Sequence, residues 1–171
     1  MGEKVVLVIA ERQFRDEEYL VPKMILSEAG LEVVTASTTT EQAVGKLGAK
    51  VRPDLLVSQI KVADYEGLIF VGGGGAEQYF DDGVVHALAN GFAQAGKVVA
   101  AICIAPVILA RAGLLSGKRA TVWVDGAPEL TKAGALYTGK NVERDGRIIT
   151  GNGPEAAEAF SQEIARQLQE A

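Results

Sequence analysis

The chain has 171 residues, 48% of them apolar, and its 17 basic and 22 acidic side chains leave a net charge of −5. That length predicts one domain over residues 1–171, and an acidic balance with no Lys/Arg run argues against nucleic acid as a partner. A single cysteine forbids an internal disulfide, which fits a reducing, cytoplasmic setting; with only one histidine beside it, the usual all-protein zinc cages are excluded.

Short β-rich runs alternate with amphipathic stretches. Lys4–Ala10 (KVVLVIA) is apolar and β-branched, as in a strand buried on both faces. Asp16–Ala29 predicts a helix closed by Gly30, and Leu31–Ala36 a second strand. Gly45–Ser58 carries weaker signals and reads as a small hairpin or edge excursion around Pro53-Asp54. Gly67–Val71 is another continuous strand, running into Gly72–Gly75. Asp82–Ala95 follows as a helix, with Val84, Val85, Leu88 and Phe92 turned inward. Lys97–Ile102 (KVVAAI) is a further buried strand, and Ala105–Ala112 a helix with Pro106 in its first turn. Ala120–Val124 reads as a strand and Ala127–Lys132 as a short helix. A hairpin over Val142–Thr150 turns at Asp145-Gly146, and a last helix after Gly153-Pro154 aligns Ala157, Phe160, Ile164 and Leu168. No apolar stretch approaches the ~18 residues of a membrane span, and the opening MGEKVVLVIAER is too short for a signal peptide, so no membrane partner is expected. The alternation predicts an α/β fold, a doubly wound, mostly parallel sheet sandwiched by helices, whose ligands sit beyond the carboxyl ends of the strands.

Cys103 stands at such an end, between KVVAAI and APVILARA. A strand followed at once by a helix is the geometry of a nucleophile elbow, although the G-x-S-x-G spelling is absent. Unpaired N–H groups and the helix dipole favour a thiolate there, so the thiol is expected to ionise below its free value. The alternative is an inert buried cysteine. Gly72–Gly75 is either a tight turn or a stretch of bare backbone whose N–H groups approach a reacting oxygen. It fails as a dinucleotide site because Glu77 breaks G-x-G-x-x-G, and two Walker-like runs fail because Val98 and Asn141 occupy the Ser/Thr position. No cofactor and no metal are therefore expected. Glu18 shares a helical spacing with Pro22, Ile25 and Ala29. It is either a first-turn acid complementing the dipole or a carboxyl held in apolar surroundings with a raised pKa. Pro22 lacks the N–H for the residue-18 carbonyl, so the helix starts or bends there. His86 falls on the flank of its helix, away from any partnership with Cys103, and Trp123 reads as core packing or as a pocket wall.

With these residues assembled, the chain resembles the ThiJ/PfpI superfamily, also called the DJ-one family, and its compact PfpI-like members in length. The resemblance rests on FRDEEYLVP (Phe14–Pro22), DYEGLIFVGGGGAE (Asp64–Glu77), VVAAICIAPVILARAGLLSGKRAT (Val98–Thr121) and DGRIITGNGPEAAEAF (Asp145–Phe160). It implies a flavodoxin-like sandwich, with Cys103 as the reactive cysteine and Glu18 as a protonated glutamate bonded to its sulfur. Gly73 and Ile104 would supply the oxyanion-hole N–H groups. Glu77 matches an acid that orients a histidine across a subunit interface in the protease-like branch. Self-association into a dimer or hexamer is also implied.

The family's activities include glutathione-independent glyoxalase, deglycase, peptidase, chaperone and redox sensing. The resemblance therefore implies a stress-response protein acting on a small-molecule aldehyde or a glycated substrate. A non-enzymatic oxidation sensor or chaperone is the alternative. The protease-like branch places His directly after the cysteine, where this chain has Ile104, and the other branch places one where this chain has Trp123. A Cys-His-acid triad is thus unattainable, which disfavours a peptidase.

Overall fold

The computed structural model describes residues 3–169, so residues 1, 2, 170 and 171 of the predicted domain lie outside it. In chain order the strands and α-helices are β1 (Lys4–Val8), β2 (Arg12–Phe14), α1 (Asp16–Glu28), β3 (Glu32–Ser37), β4 (Ala43–Gly45), β5 (Lys50–Val51), β6 (Leu55–Leu56) and β7 (Gly67–Phe70). There follow α2 (Gly83–Gln94), β8 (Val98–Ile102), α3 (Pro106–Arg111), β9 (Arg119–Ala120), α4 (Ala127–Lys132), β10 (Leu136–Tyr137), β11 (Val142–Asp145), β12 (Ile148–Gly151) and α5 (Ala157–Gln169).

Seven strands form the central sheet in the order β11-β12-β8-β7-β1-β3-β6, parallel except for β11. The order β3-β1-β7-β8-β12 is the 2-1-3-4-5 arrangement of flavodoxin-like folds, as the alternation predicts. Every residue of β7, β8 and β12 is buried. The continuous apolar runs follow from that, because helices cover both faces and no alternation survives. α1 packs with α5, while α2 packs with α3 and α3 with α4. On α5, Ala157, Phe160, Ile164 and Leu168 are all buried, as their spacing predicts.

Several expectations are corrected. The small hairpin is β4–β5 and turns at residues 46–49, not at Pro53-Asp54. Asp54 exchanges backbone and side-chain hydrogen bonds with Thr35 (2.8 and 2.9 Å), which brings the chain onto the sheet edge at β6. Val84 is 60% exposed; Val85, Ala89 and Phe92 form the inner stripe of α2, because Asp82 caps the helix and sets its phase. The strand expected over Ala120–Val124 stops at Ala120. The Trp123 N–H leaves the pairing for the Cys103 carbonyl, 2.7 Å away, and a 3₁₀ turn follows. α1 does not start at Pro22, which lies inside it. Its buried residues are Asp16, Glu18, Tyr19, Pro22 and Leu26, whereas Ala29 is exposed.

Asp16 ties two parts of the chain together. Its carboxylate accepts the Leu47 and Ala49 N–H groups at 2.8 and 2.7 Å, and a methyl on Gly45 would lie 2.5 Å from it. Asp16→Ala should leave both donors without that acceptor and destabilise the fold by about 2 kcal/mol, which chemical unfolding at pH 7 measures.

Candidate functional site

The carboxyl ends of β1, β7 and β8 are where three segments meet. After β7 the backbone runs through Gly72–Gly75, and β2 crosses directly over it. A methyl on Gly73 (φ +97°) would lie 2.5 Å from both the Arg15 nitrogen and the Gln13 oxygen, and one on Gly75 would collide with the Arg12 carbonyl. Only glycine allows this approach, so the sequence run of four glycines has a steric cause. The Arg15 N–H donates to the Gly72 carbonyl at 2.9 Å, and the Tyr79 hydroxyl donates to the Ile9 carbonyl at 2.8 Å. These bonds lock the crossover and aim the first turns of α1 at the end of β8.

Cys103 is the first residue beyond β8, and its φ of +64° lies in the left-handed region that a residue with a Cβ rarely adopts. Such a conformation costs roughly 1 kcal/mol or more and persists only where the surroundings impose it. Here its N–H donates to the Gly151 carbonyl (2.9 Å) and its carbonyl accepts the Trp123 N–H (2.7 Å). The turn presents the half-buried sulfur to the N–H groups of Gly73 and Ile104. A methyl on Gly72 would lie 2.5 Å from both the Cys103 Cβ and the Glu18 Oε1. Thus Cys103, Glu18, Gly73 and Ile104, expected from sequence to act together, are brought together. Gly72→Ala should overpack this junction and destabilise the protein by about 2–3 kcal/mol, read from urea unfolding, with Glu18 pushed away from the sulfur.

Glu18 is fully buried, and neither carboxyl oxygen has a partner with full hydrogen-bond geometry among the described residues. The Cys103 sulfur and the Gly72 N–H still lie near enough to bias its proton. Burial pushes the Glu18 carboxyl up to about 7. The Cys103 thiol is pushed up to about 12, first by burial and then by the Glu18 charge, against the Gly73 and Ile104 N–H groups. This reverses the expectation of a thiol below its free value. α3 is only six residues long, so its dipole is small against desolvation and a neighbouring carboxylate. The two groups titrate as a pair, and the step near 7 removes one proton from the pair as a whole.

The site opens into a cleft of about 570 Å³. Ile104 and Val107 line it beside Cys103, and Trp123 forms part of its wall, 43% exposed; the pocket-wall reading of the indole holds and core packing does not. Glu77 also lines the cleft. His86 does not: its Nε2 lies 2.7 Å from the Phe80 carbonyl oxygen, on α2. Sequence reasoning missed Arg15, Lys46, Arg111 and Asp125, all of which line the cleft. Arg15 pairs with Glu17 at 2.9 Å, and Arg111 pairs with Asp81 (2.8 Å) and Glu129 (3.1 Å) while stacking over Phe80. The only signal for Lys46 was the glycine pair flanking it, which marks a turn. No helix among the described residues is long and apolar enough to cross a membrane, and they include no cluster of three or more potential metal ligands.

The sequence pattern that defines the DJ-1/PfpI family matches residues 3–167. An uncharacterized protein of Methanocaldococcus jannaschii is 39% identical over 97% of this chain and 82% of its own length. One from Archaeoglobus fulgidus is 40% identical over 95% of this chain and 97% of its own. Among solved structures, a ThiJ/PfpI domain protein from Brachyspira murdochii superposes with a TM-score of 0.97 at 30% identity, covering 99% of this chain and 98% of that one. DJ-1beta of Drosophila melanogaster gives 0.89 at 28% identity, covering 98% and 91%.

Proposed function

The chain belongs to the DJ-1/PfpI family, and from that premise we propose that it is a cysteine-dependent enzyme acting on α-oxoaldehydes or their adducts. The observation that carries this reading is the left-handed turn at Cys103, which we read as a nucleophile elbow, beside a buried Glu18 carboxyl whose oxygens have no partner with full hydrogen-bond geometry among the described residues. With methylglyoxal, the sulfur adds to the aldehyde carbon while the thiol proton passes through Glu18 to the aldehyde oxygen, giving a hemithioacetal whose oxygen is held by the Gly73 and Ile104 N–H groups. The Glu18 carboxylate then takes the proton from that carbon, the electron pair running to the ketone oxygen, and returns it to the former ketone carbon as the hemithioacetal hydroxyl proton passes to that carbon's oxygen; the aldehyde carbon is thereby oxidised to a thioester and the ketone carbon reduced to an alcohol. Water then cleaves the thioester, releasing lactate and restoring the thiol. No histidine is needed, and Glu77 has none to orient. Lactate formation from methylglyoxal by the wild type and Cys103→Ala tests the reading. Equal rates would defeat it.

A second reading, a redox sensor, is favoured by the partial exposure of Cys103 and by the N–H groups around its sulfur, which would hold a sulfinate. Intact mass after graded peroxide decides it, since an unmodified Cys103 removes it. Self-association belongs to the same proposal: Leu20 and Met24, one turn apart on α1, are 49% and 53% exposed. Light scattering should give a mass of at least two chains.

A further inference from the structure

The chain holds two Asn-Gly dipeptides, Asn90-Gly91 and Asn152-Gly153. In such a pair the glycine's backbone nitrogen can attack the asparagine side chain, because no Cβ stands in its way. How firmly each pair is held decides which one reacts. Asn90 lies inside α2, where its Nδ2 donates to the carbonyls of His86 (2.9 Å) and Ala112 (3.1 Å) and the Gly91 N–H belongs to the helix ladder. Attack there requires the helix to open locally.

Asn152 differs on each count. It follows β12 and is half-buried, and its Nδ2 reaches only Asn141 Oδ1, at a long 3.3 Å. No hydrogen bond among the described residues uses the Gly153 N–H, so the attacking nitrogen is unengaged. The pair also joins two fixed supports. Gly151, one residue before it, accepts the Cys103 N–H at 2.9 Å, while Gly153 accepts the Ala156 N–H at 3.0 Å and starts the 3₁₀ turn Pro154–Ala156 that leads into α5.

We propose that Asn152-Gly153 is a modification site, at which deamidation through a cyclic imide loosens the turn that holds Cys103. The Gly153 nitrogen bonds to the Asn152 Cγ, the Cγ–Nδ2 bond breaks, and ammonia leaves with the proton that the attacking nitrogen gives up. Water then opens the five-membered imide. Cleavage between the nitrogen and Cγ yields aspartate. Cleavage between the nitrogen and the main-chain carbonyl yields isoaspartate, whose backbone runs through the side chain. Either product has exchanged an amide for an acid. The isoaspartyl form lengthens the backbone by one methylene between Gly151 and Gly153, so β12 and the 3₁₀ turn cannot both keep their places. The carbonyl that holds Cys103 in its left-handed form lies one residue away. This inference stands independently of the chemistry proposed for Cys103.

Peptide mapping after prolonged incubation at pH 8 should show Asn152 converting at least about tenfold faster than Asn90. Each event adds one negative charge, so anion exchange isolates the modified fraction, which a protein isoaspartate methyltransferase should label. In that fraction Cys103 should alkylate about threefold or more faster than in fresh protein, because the opened turn relieves the burial that opposes its thiolate. Asn152→Gln keeps the amide but would have to close a larger ring, so it should stay unlabelled. Freshly prepared Asn152→Asp carries the charge without the extra methylene, and its Cys103 should alkylate like that of fresh wild type. No conversion at Asn152, equal conversion at Asn90, or labelling of Asn152→Gln as strong as the wild type would overturn the site. A labelled fraction whose Cys103 reacts at the fresh rate would overturn its link to the cysteine turn.

Discussion

Cys103→Ala is expected to abolish turnover of α-oxoaldehydes, a loss of about 10³-fold or more in kcat/KM. The size follows from the mechanism: without sulfur no covalent adduct forms, and Glu18 has no activated carbon to act on. Cys103→Ser should be almost as severe, because a hydroxyl ionises far less readily than a thiol. Neither variant should unfold, since the backbone bonds from residue 103 to Gly151 and Trp123 do not involve the side chain. Circular dichroism separates loss of chemistry from loss of structure, and a Cys103→Ala enzyme that still makes lactate at the wild-type rate would remove the cysteine from the reaction.

Glu18→Gln carries the second large effect, with two independent readouts. Loss of the proton carrier should lower turnover by about 10²–10⁴-fold. Stability should change in a pH-dependent way. Burial raises the Glu18 carboxyl from 4.5 to about 7, so the folded state holds this proton more tightly than the unfolded state. The stabilisation is complete below 4.5 and is lost as pH rises through 7, amounting to about 3 kcal/mol. Urea unfolding of the wild type between pH 4.5 and 8 should show that slope, and Glu18→Gln should flatten it. The thiol should respond oppositely. The Glu18 charge raises the Cys103 pKa, so at pH 9 alkylation should be faster in Glu18→Gln than in the wild type.

Much of this arrangement was legible before any coordinates. KVVLVIA, GLIFV and KVVAAI mark strands covered on both faces, and their carboxyl ends locate the site. Helical spacing offers the inward aim of Glu18 as one of two readings, and the residues sharing its face are Pro22 and Leu26, with Ala29 outside. What stayed hidden depends on contacts between distant segments. Lys46 reaches the cleft because its turn is fastened to Asp16, and nothing local to either residue encodes that bond. Trp123 left its strand for the carbonyl of a residue twenty positions earlier. The thiol shift was misjudged for a related reason: a helix start is visible in sequence, whereas the desolvation that outweighs it arises only when glycine backbone and α1 close around the sulfur.

The bonds that hold Cys103 also fix when it can take its shape. Its N–H needs the Gly151 carbonyl, supplied by a strand ending 48 residues later, and its carbonyl needs Trp123. During synthesis on the ribosome, β1, β3, β7 and β8 can pair as they emerge, yet the cysteine turn stays unsupported until β12 has left the exit tunnel and joined β8. A nascent chain therefore carries a thiol without its left-handed turn, and the site assembles only once β12 has joined β8.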